Sequence, residues 1–550
     1  MMNARFTCTR SWRFLFVFAV AYTLSTLVPA QIRILGKVLV PMRDGVKLAV
    51  DVYLPDGEGP FPVVVARSVY GRGNEDFARP FLTQGLAFVP QDTRGRGDSE
   101  GEDRVFEDAG WGERQDGVDT IAWVRQQPWC NGKVGTWGGS ALGITQVLLG
   151  AAGAGVTCQS IQVAPSAFYG QMAYRGGVWH KSQNEFWLTG QGNPHVIDRW
   201  KSHPADDAYW AGFDAEPRWA KVTAPAVHVG GWWDMFTQGT LNNFTGRQYQ
   251  GGEGARGNQI LLIGPWAHAG PNGPQQLGDL EFPANYRFDV GPFEGRFFRH
   301  WLLGEENGIM EEPPVHYYTV GDVSDPNAPG NVWRTAEDWP PVPVRETRFY
   351  LAPGGRLSRQ PGPRDAEGLA FVYDPGDPCP THGGGNYNLP AGPFDQREVS
   401  KRPDVLVFQS DPLTEPLEIA GRVTVRLYVT SNAVDTDFTA KLIDVYPDGR
   451  EILMLDGIYR MKYRNGFEKA ELLSQGEVAQ LDIDLWSISL IFNRGHRIAV
   501  HVSSSNYPRF DKNPNTGADF ADGQNLRVTR NTVFVDEPHP SALIVPVCTR

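Results

Sequence analysis

Residues 133–143 read Lys133-Val134-Gly135-Thr136-Trp137-Gly138-Gly139-Ser140-Ala141-Leu142-Gly143, a β-strand that runs into a tight turn and out into a helix. Small residues crowd Ser140 on both sides. A turn of this shape projects a serine hydroxyl above the edge of a sheet, and the crowding of strand against helix is what demands glycine there. The spacing departs from G-x-S-x-G, because Leu142 takes the place of the second glycine and Gly143 comes one residue late. A serine in a glycine-rich turn is more often only a turn residue, so its surroundings must decide.

Working outward, residues 38–54 form two strands around a turn at Arg43-Asp44-Gly45. Continuous apolar runs follow at 62–66, 86–89, 134–137, 161–164, 226–229 and 260–263, as expected of central strands covered on both faces. Between them, residues 111–127 carry Val118, Ile121 and Ala122 at helical spacing until Pro128 stops the helix. Alternating strands and helices predict a mostly parallel α/β sheet over 31–165 and 223–343. The pattern breaks at 166–222, a stretch dense in Trp, Tyr, His and Gln, read as a largely helical cap inserted over the sheet. Residues 293–303 resume as a helix. From about residue 344 to 550, short segments bounded by Gly, Pro, Asn and Asp predict an all-β sandwich or jelly roll.

A serine hydroxyl needs a base to take its proton, and the base needs an acid to fix its tautomer. On a sheet of this kind the three follow in the order Ser, Asp or Glu, His, each in a loop beyond the end of a strand. Here 226–229 leads to Asp234 and 260–263 leads to His268. Either residue alone reads as a solvated Asp or a structural His; three in the right order after three strands favour a catalytic set of Ser140, Asp234 and His268.

With those residues in place the chain resembles the cocaine-esterase-like group of α/β-hydrolases, which includes X-Pro dipeptidyl-peptidase-like enzymes, glutaryl-cephalosporin acylases and α-amino-acid ester hydrolases. The resemblance is carried by Met42-Arg43-Asp44-Gly45, Gln91-Asp92-Thr93-Arg94-Gly95-Arg96-Gly97, the serine turn, Gly231-Trp232-Trp233-Asp234 and Gly264-Pro265-Trp266-Ala267-His268. It implies an α/β-hydrolase domain with an inserted helical cap and a C-terminal jelly roll. It also implies Ser140 as nucleophile, His268 as base and then acid, Asp234 as its orienting carboxylate, and an oxyanion hole built from the Ala141 N–H and the Tyr70 hydroxyl. Many members carry a bulkier residue where this chain has Ala141, which leaves the backbone donor intact and alters the pocket. Trp179, Trp187, Trp233 and Phe236 are candidates for lining that pocket, with core packing as the competing role. The segment 91–99 lacks the Lys-Ser/Thr ending of a phosphate loop and is read as structural.

Composition narrows the partners. The formal charge of −12 disfavours nucleic acid and suits a small ester, amide or short peptide as substrate. Neither a metal nor an organic cofactor is needed for the chemistry. Arg5, Arg10 and Arg13, the apolar run 14–22 and Val28-Pro29-Ala30 read as an export signal over 1–30, to periplasm or medium, and the run is too short for a stable membrane span. Cys130 paired with Cys158 and Cys379 with Cys548 would keep each disulfide within one domain, one of three possible connectivities. Asn243-Phe244-Thr245 fits a glycosylation sequon. The rival activities are an amidase or peptidase, including release of X-Pro dipeptides or acylation and deacylation of β-lactam nuclei. An aminopeptidase-like activity would need cap acids such as Asp198, Asp206, Asp207 and Asp214 to hold an ammonium group. A rival of another kind is a non-catalytic, carbohydrate-binding or scaffold protein using the jelly roll. Oligomeric state is not legible in the sequence.

Overall fold

The computed structural model describes residues 33–521 and 523–549. The export signal read at 1–30 lies outside those residues. The run Phe61–Ser68, FPVVVARS, is buried at every position and forms β3, the inner strand around which a sheet is laid down. Each such fully buried valine stabilises the fold by roughly 1.5–3 kcal/mol. The sheet has ten strands in the order β1-β2-β4-β3-β5-β6-β9-β10-β13-β14. These are β1 (Arg33–Pro41), β2 (Lys47–Leu54), β4 (Ala87–Asp92), β5 (Cys130–Gly139), β6 (Cys158–Gln162), β9 (Ala226–Trp233), β10 (Gln259–Ala267), β13 (Val315–Thr319) and β14 (Val332–Ala336). The inner strands from β4 to β13 pair in parallel, while β1–β2, β2–β4 and β13–β14 are antiparallel margins.

From β3 the chain steps to β4 on one side and then returns to β5 on the other. Loops leaving the ends of β3 and β5 therefore diverge, which opens a crevice at the carboxyl ends of the strands. Helix α1 (Glu75–Leu82) and helix α2 (Asp116–Arg125) make the crossovers. Helix α3 (Ala141–Ala151), which follows β5, is buried at every residue, as expected of a helix clamped between a sheet and a covering layer. The strand expected at 161–164 is displaced to Cys158–Gln162, because Val163 takes a positive φ of 42° and turns the chain out of the sheet.

The segment 166–222 covers α3. It contains α4 (Lys181–Gly190), α5 (Pro194–Lys201), 3-10 turns and a hairpin of two-residue strands, β7 (Tyr174–Arg175) and β8 (Val178–Trp179). The hairpin is an addition to the helical layer expected there. Helix α6 (Thr237–Gln250) and helix α7 (Val290–Phe298) complete the α/β layers, with the small hairpin β11 (Gln276–Leu277) and β12 (Leu280–Glu281) between them. Among the described residues no helix is long and apolar enough to cross a membrane.

Residues beyond 344 build an eleven-stranded all-β system. Its long strand Leu417–Ser431 alternates buried and half-exposed positions, the period-two pattern of a sheet with one face in a core. The two domains share backbone hydrogen bonds, Val320 N–H to the Ser489 carbonyl at 3.0 Å and Ile491 N–H to the Val320 carbonyl at 2.8 Å.

Neither expected disulfide forms. Cys130, Cys158 and Cys379 are free thiols. Cys158 stands beside Gly135, five residues along β5 from Cys130. At about 3.3 Å per residue that separation is far beyond the reach of a disulfide. The Asn243 sequon is also closed to modification, since its side chain is buried within α6 and donates to the Gly239 carbonyl at 3.0 Å.

Candidate active site

Ser140 stands between β5 and α3 with φ +55° and ψ −122°, a conformation that L-residues avoid and that aims its side chain out of the turn. Its amide donates to the Gln162 carbonyl at 3.0 Å and its carbonyl accepts from Ile144 at 2.8 Å, so both backbone ends are fixed. Gly138 explains the glycine requirement: its φ is +140°, and a Cβ there would lie 2.5 Å from the Cβ of Leu142. Leu142, the residue that breaks the G-x-S-x-G spacing, fills the space that the missing Cβ leaves.

Asp234 follows β9 and His268 follows β10, and the sheet brings both to Ser140. His268 Nδ1 is 2.6 Å from Asp234 Oδ1, and His268 Nε2 is 2.9 Å from Ser140 Oγ. The Asp234 side chain is fully buried, whereas His268 keeps 15% of its side-chain surface exposed. The carboxylate can hold the imidazole in one tautomer while the far nitrogen stays open to the cleft. Thr237 supports the turn by donating its hydroxyl to the Asp234 carbonyl at 2.7 Å.

Tyr70 lies in the loop after β3. Its hydroxyl is within hydrogen-bonding reach of the Ser140 side chain and accepts from Trp187 Nε1 at 3.0 Å. The residue as a whole is 50% exposed, yet its hydroxyl end is desolvated in the cleft. That desolvation, reinforced by the nearby Tyr387 phenol, pushes the Tyr70 pKa up to about 12, which keeps it a proton-bearing donor. The Ala141 amide is the first N–H of α3 and belongs to the group a helix leaves without an intrahelical partner. Both donors flank the serine.

Comparison with known proteins agrees with this architecture. Residues 44–194 and 179–270 match the X-Pro dipeptidyl-peptidase (S15 family) model, and residues 307–544 match the X-Pro dipeptidyl-peptidase C-terminal non-catalytic domain. The cocaine esterase of Rhodococcus sp. (strain MB1 Bresler) is 33% identical over 595 residues, covering 95% of this chain and 100% of that protein. The chain belongs to the cocaine-esterase-like family of α/β-hydrolases. It is a serine hydrolase, and esters or peptides are the substrate classes of such proteins. Among solved structures, an α-amino acid ester hydrolase superposes with a TM-score of 0.77 at 25% identity, covering 96% of this chain and 98% of that one. An aminopeptidase from a marine-sediment Thaumarchaeota archaeon has a TM-score of 0.80 at 23% identity, covering 96% and 99%, and attests the shared fold.

In this member of the cocaine-esterase-like family the four aromatic pocket candidates divide. Phe236 packs edge-on against the His268 ring with centroids 5.7 Å apart, and Trp187 reaches Tyr70 as described. All four are buried, and the ring contacts of Trp179 and Trp233 are with core residues rather than with His268 or Tyr70. Trp179 is fully buried against Tyr174 and Phe520, and Trp233 is 1% exposed with its ring on Phe282. Their aromatic character serves the cores of the cap and of the domain interface.

Tyr387 was not foreseen. It comes from the C-terminal region and meets the His268 ring at 5.5 Å and Phe186 of α4 at 6.0 Å. Burial raises its pKa above the ordinary tyrosine value. Only the three-glycine run Gly383-Gly384-Gly385 two residues earlier hinted at a close approach of backbones.

Proposed function

We propose that this chain is an acyl hydrolase that cleaves esters through an acyl-enzyme on Ser140. The observation that carries the proposal is the continuous chain from Asp234 through His268 to Ser140, with contacts of 2.6 and 2.9 Å, ending on a serine held at positive φ. Ser140 Oγ attacks the carbonyl carbon while His268 Nε2 takes its proton. The carbonyl oxygen becomes an oxyanion facing the Tyr70 hydroxyl and the Ala141 amide. The bond to the leaving group then breaks as His268 returns the proton to it. Water, deprotonated by the same nitrogen, attacks the acyl-enzyme, and the acid departs as Ser140 regains its hydrogen. Loss of one oxyanion donor costs about 10²–10³ in turnover in such sites.

An amino-terminal recognition mode has little support. Asp207 is engaged by His203 at 2.7 Å, and Asp198 and Asp206 are solvent-exposed. Asp214 already accepts from the Glu216 amide, and burial raises its pKa to about 6. Hydrolysis of short-chain aryl esters, aminoacyl esters with free and blocked amino groups, and X-Pro anilides by the protein and by Ser140→Ala tests the proposal. Aryl ester turnover that disappears in the variant is expected. Turnover that survives Ser140→Ala would remove the serine from the mechanism. Export belongs to the same proposal, tested by locating the processed chain in periplasm or medium.

A further inference from the structure

The segment 91–99, read from sequence as a structural loop, touches the Tyr70 loop at two points. Arg96 donates from Nε to the Val69 carbonyl, the carbonyl of the peptide that carries the Tyr70 nitrogen, at 2.9 Å. The rest of its fork reaches the C-terminal end of α4: Nη1 to the Gln191 carbonyl at 2.5 Å and Nη2 to Gln191 Oε1 at 2.8 Å. Asp103 lies 3.4 Å from the same guanidinium and itself accepts from Asn193 Nδ2 at 2.7 Å. On the far side of Tyr70, Arg72 is gripped by Asp51, Asp92 and Asp98, two of which belong to the segment. Val69 itself is buried in the apolar cluster that includes Phe106 and Trp187.

Helix α4 closes this circuit. One turn before Gln191 it carries Trp187, whose indole donates to the Tyr70 hydroxyl, and the Gln191 amide caps back onto the Trp187 carbonyl at 2.9 Å. A phenol oxygen that accepts from Trp187 on one side keeps its own hydrogen for another direction, and the Ser140 side chain lies within reach. The Tyr70 backbone and hydroxyl are thus fixed to the same cap helix by two routes, one through Arg96 and one through Trp187. A planar guanidinium suits this task because its donors are set in a rigid fork; an ammonium would supply a point charge without that geometry.

We infer that Arg96 is a positioning residue of the oxyanion hole, bolting the Tyr70 peptide to cap helix α4 so that the phenol donor is in place when negative charge develops. The inference rests on the proposed role of Tyr70. A donor aimed at charge that exists only in the transition state acts on kcat with little effect on KM.

The test is a double-mutant cycle on the full chain with a 4-nitrophenyl ester, using Arg96→Ala, Tyr70→Phe and the pair, each first checked for an unchanged circular dichroism spectrum. Arg96→Ala is expected to lower kcat on the order of tenfold, a part of the loss from deleting the donor outright. In the Tyr70→Phe background the same substitution should cost almost nothing further, because the group it positions is gone. A full, multiplicative Arg96→Ala loss in that background would overturn the inference. So would an unchanged kcat in Arg96→Ala beside an impaired Tyr70→Phe, which leaves the oxyanion role of Tyr70 standing. Wild-type turnover in Tyr70→Phe would overturn both. Should Arg96→Ala fail to fold, Gln191→Ala removes one acceptor of the fork and Arg96→Lys removes the fork geometry. Both are expected to show a several-fold kcat loss that vanishes with Tyr70→Phe, and additivity in either cycle overturns the inference.

Discussion

Substituting Gly385 by Ala places a methyl group, from the other domain, against the backbone of Asp234, the residue proposed to orient His268. An ideal Cβ at Gly385 lies 3.0 Å from the Asp234 carbonyl oxygen, 3.3 Å from its carbonyl carbon and 3.5 Å from the Trp233 oxygen. Ordinary contact begins at 3.4 Å, so about 0.4 Å must be found by the Gly385 segment or by Asp234. Gly385 does not occupy positive φ, so alanine brings crowding without backbone strain. A misplacement of 1 Å at a catalytic group costs about 10²-fold in rate, and scaling its logarithm to 0.4 Å gives about sixfold. If the two backbones share the movement, the loss falls to about two- to threefold. The assay is kcat at saturating aryl ester, with thermal unfolding measured alongside. A kcat lowered two- to sixfold with the fold intact is expected. An undiminished kcat would refute the reasoning and mean that the C-terminal segment absorbs the whole displacement.

Gly138→Ala should be more severe, because the new Cβ would lie 2.5 Å from that of Leu142 at a φ of +140°; a kcat loss of about 10²-fold or more is expected in stopped assays on folded protein. His496 links the domains, with Nδ1 2.8 Å from Asp444 and Nε2 3.3 Å from Asp322, beneath the Tyr446 ring and near Arg450. Burial would lower its pKa, but the hydrogen bond and charge of Asp444, with Asp322, raise it above 6.5 on balance. A raised folded pKa contributes stability that is fully present below the unfolded value and lost as pH rises through the folded one. The urea midpoint should therefore fall as pH is raised from about 6, and His496→Gln should flatten that slope; an identical slope in the variant would count against it. Arg460→Leu should cost about 3–5 kcal/mol in urea unfolding, because Arg460 donates to both oxygens of buried Asp437 at 2.8 and 3.1 Å and faces buried Asp435.

The α/β sheet was legible because β3, β4, β9 and β10 contain continuous apolar runs, a signal that burial on both faces produces directly, whereas β6, CQSIQ, is buried yet largely polar. The order Ser140, Asp234, His268 was legible because each residue comes within five residues after such a run, and the strands end immediately before them, where the sheet delivers side chains to one edge. The aromatic residues were not separable. Trp179 and Trp187 sit eight residues apart in the cap with similar neighbours, yet one is core and the other reaches Tyr70, because that choice depends on how α4 turns over the sheet. Tyr387 lies more than a hundred residues beyond His268, and nothing local in the sequence sets their distance. The cysteines failed for a related reason: pairing by domain ignored that five residues along a strand carry Cys130 away from Cys158.

These long-range placements bear on how the site divides its work. Under the proposed mechanism the groups that make and break bonds all stand in loops at the ends of β5, β9 and β10, where parallel neighbours fix their spacing. The groups facing the cleft around them come from elsewhere: Trp187 and Phe186 from the cap, Tyr387 from the C-terminal region. Substitutions in these latter regions can reshape the acyl pocket without moving Ser140 against His268, provided the contacts through Arg96 and Gly385 are kept. At Arg96 a guanidinium is joined to the Val69 and Gln191 carbonyls, and at Gly385 the absence of a side chain lets one backbone pass close to that of Asp234. A scaffold joined in this way can change what it binds while leaving the chemistry of the serine in place.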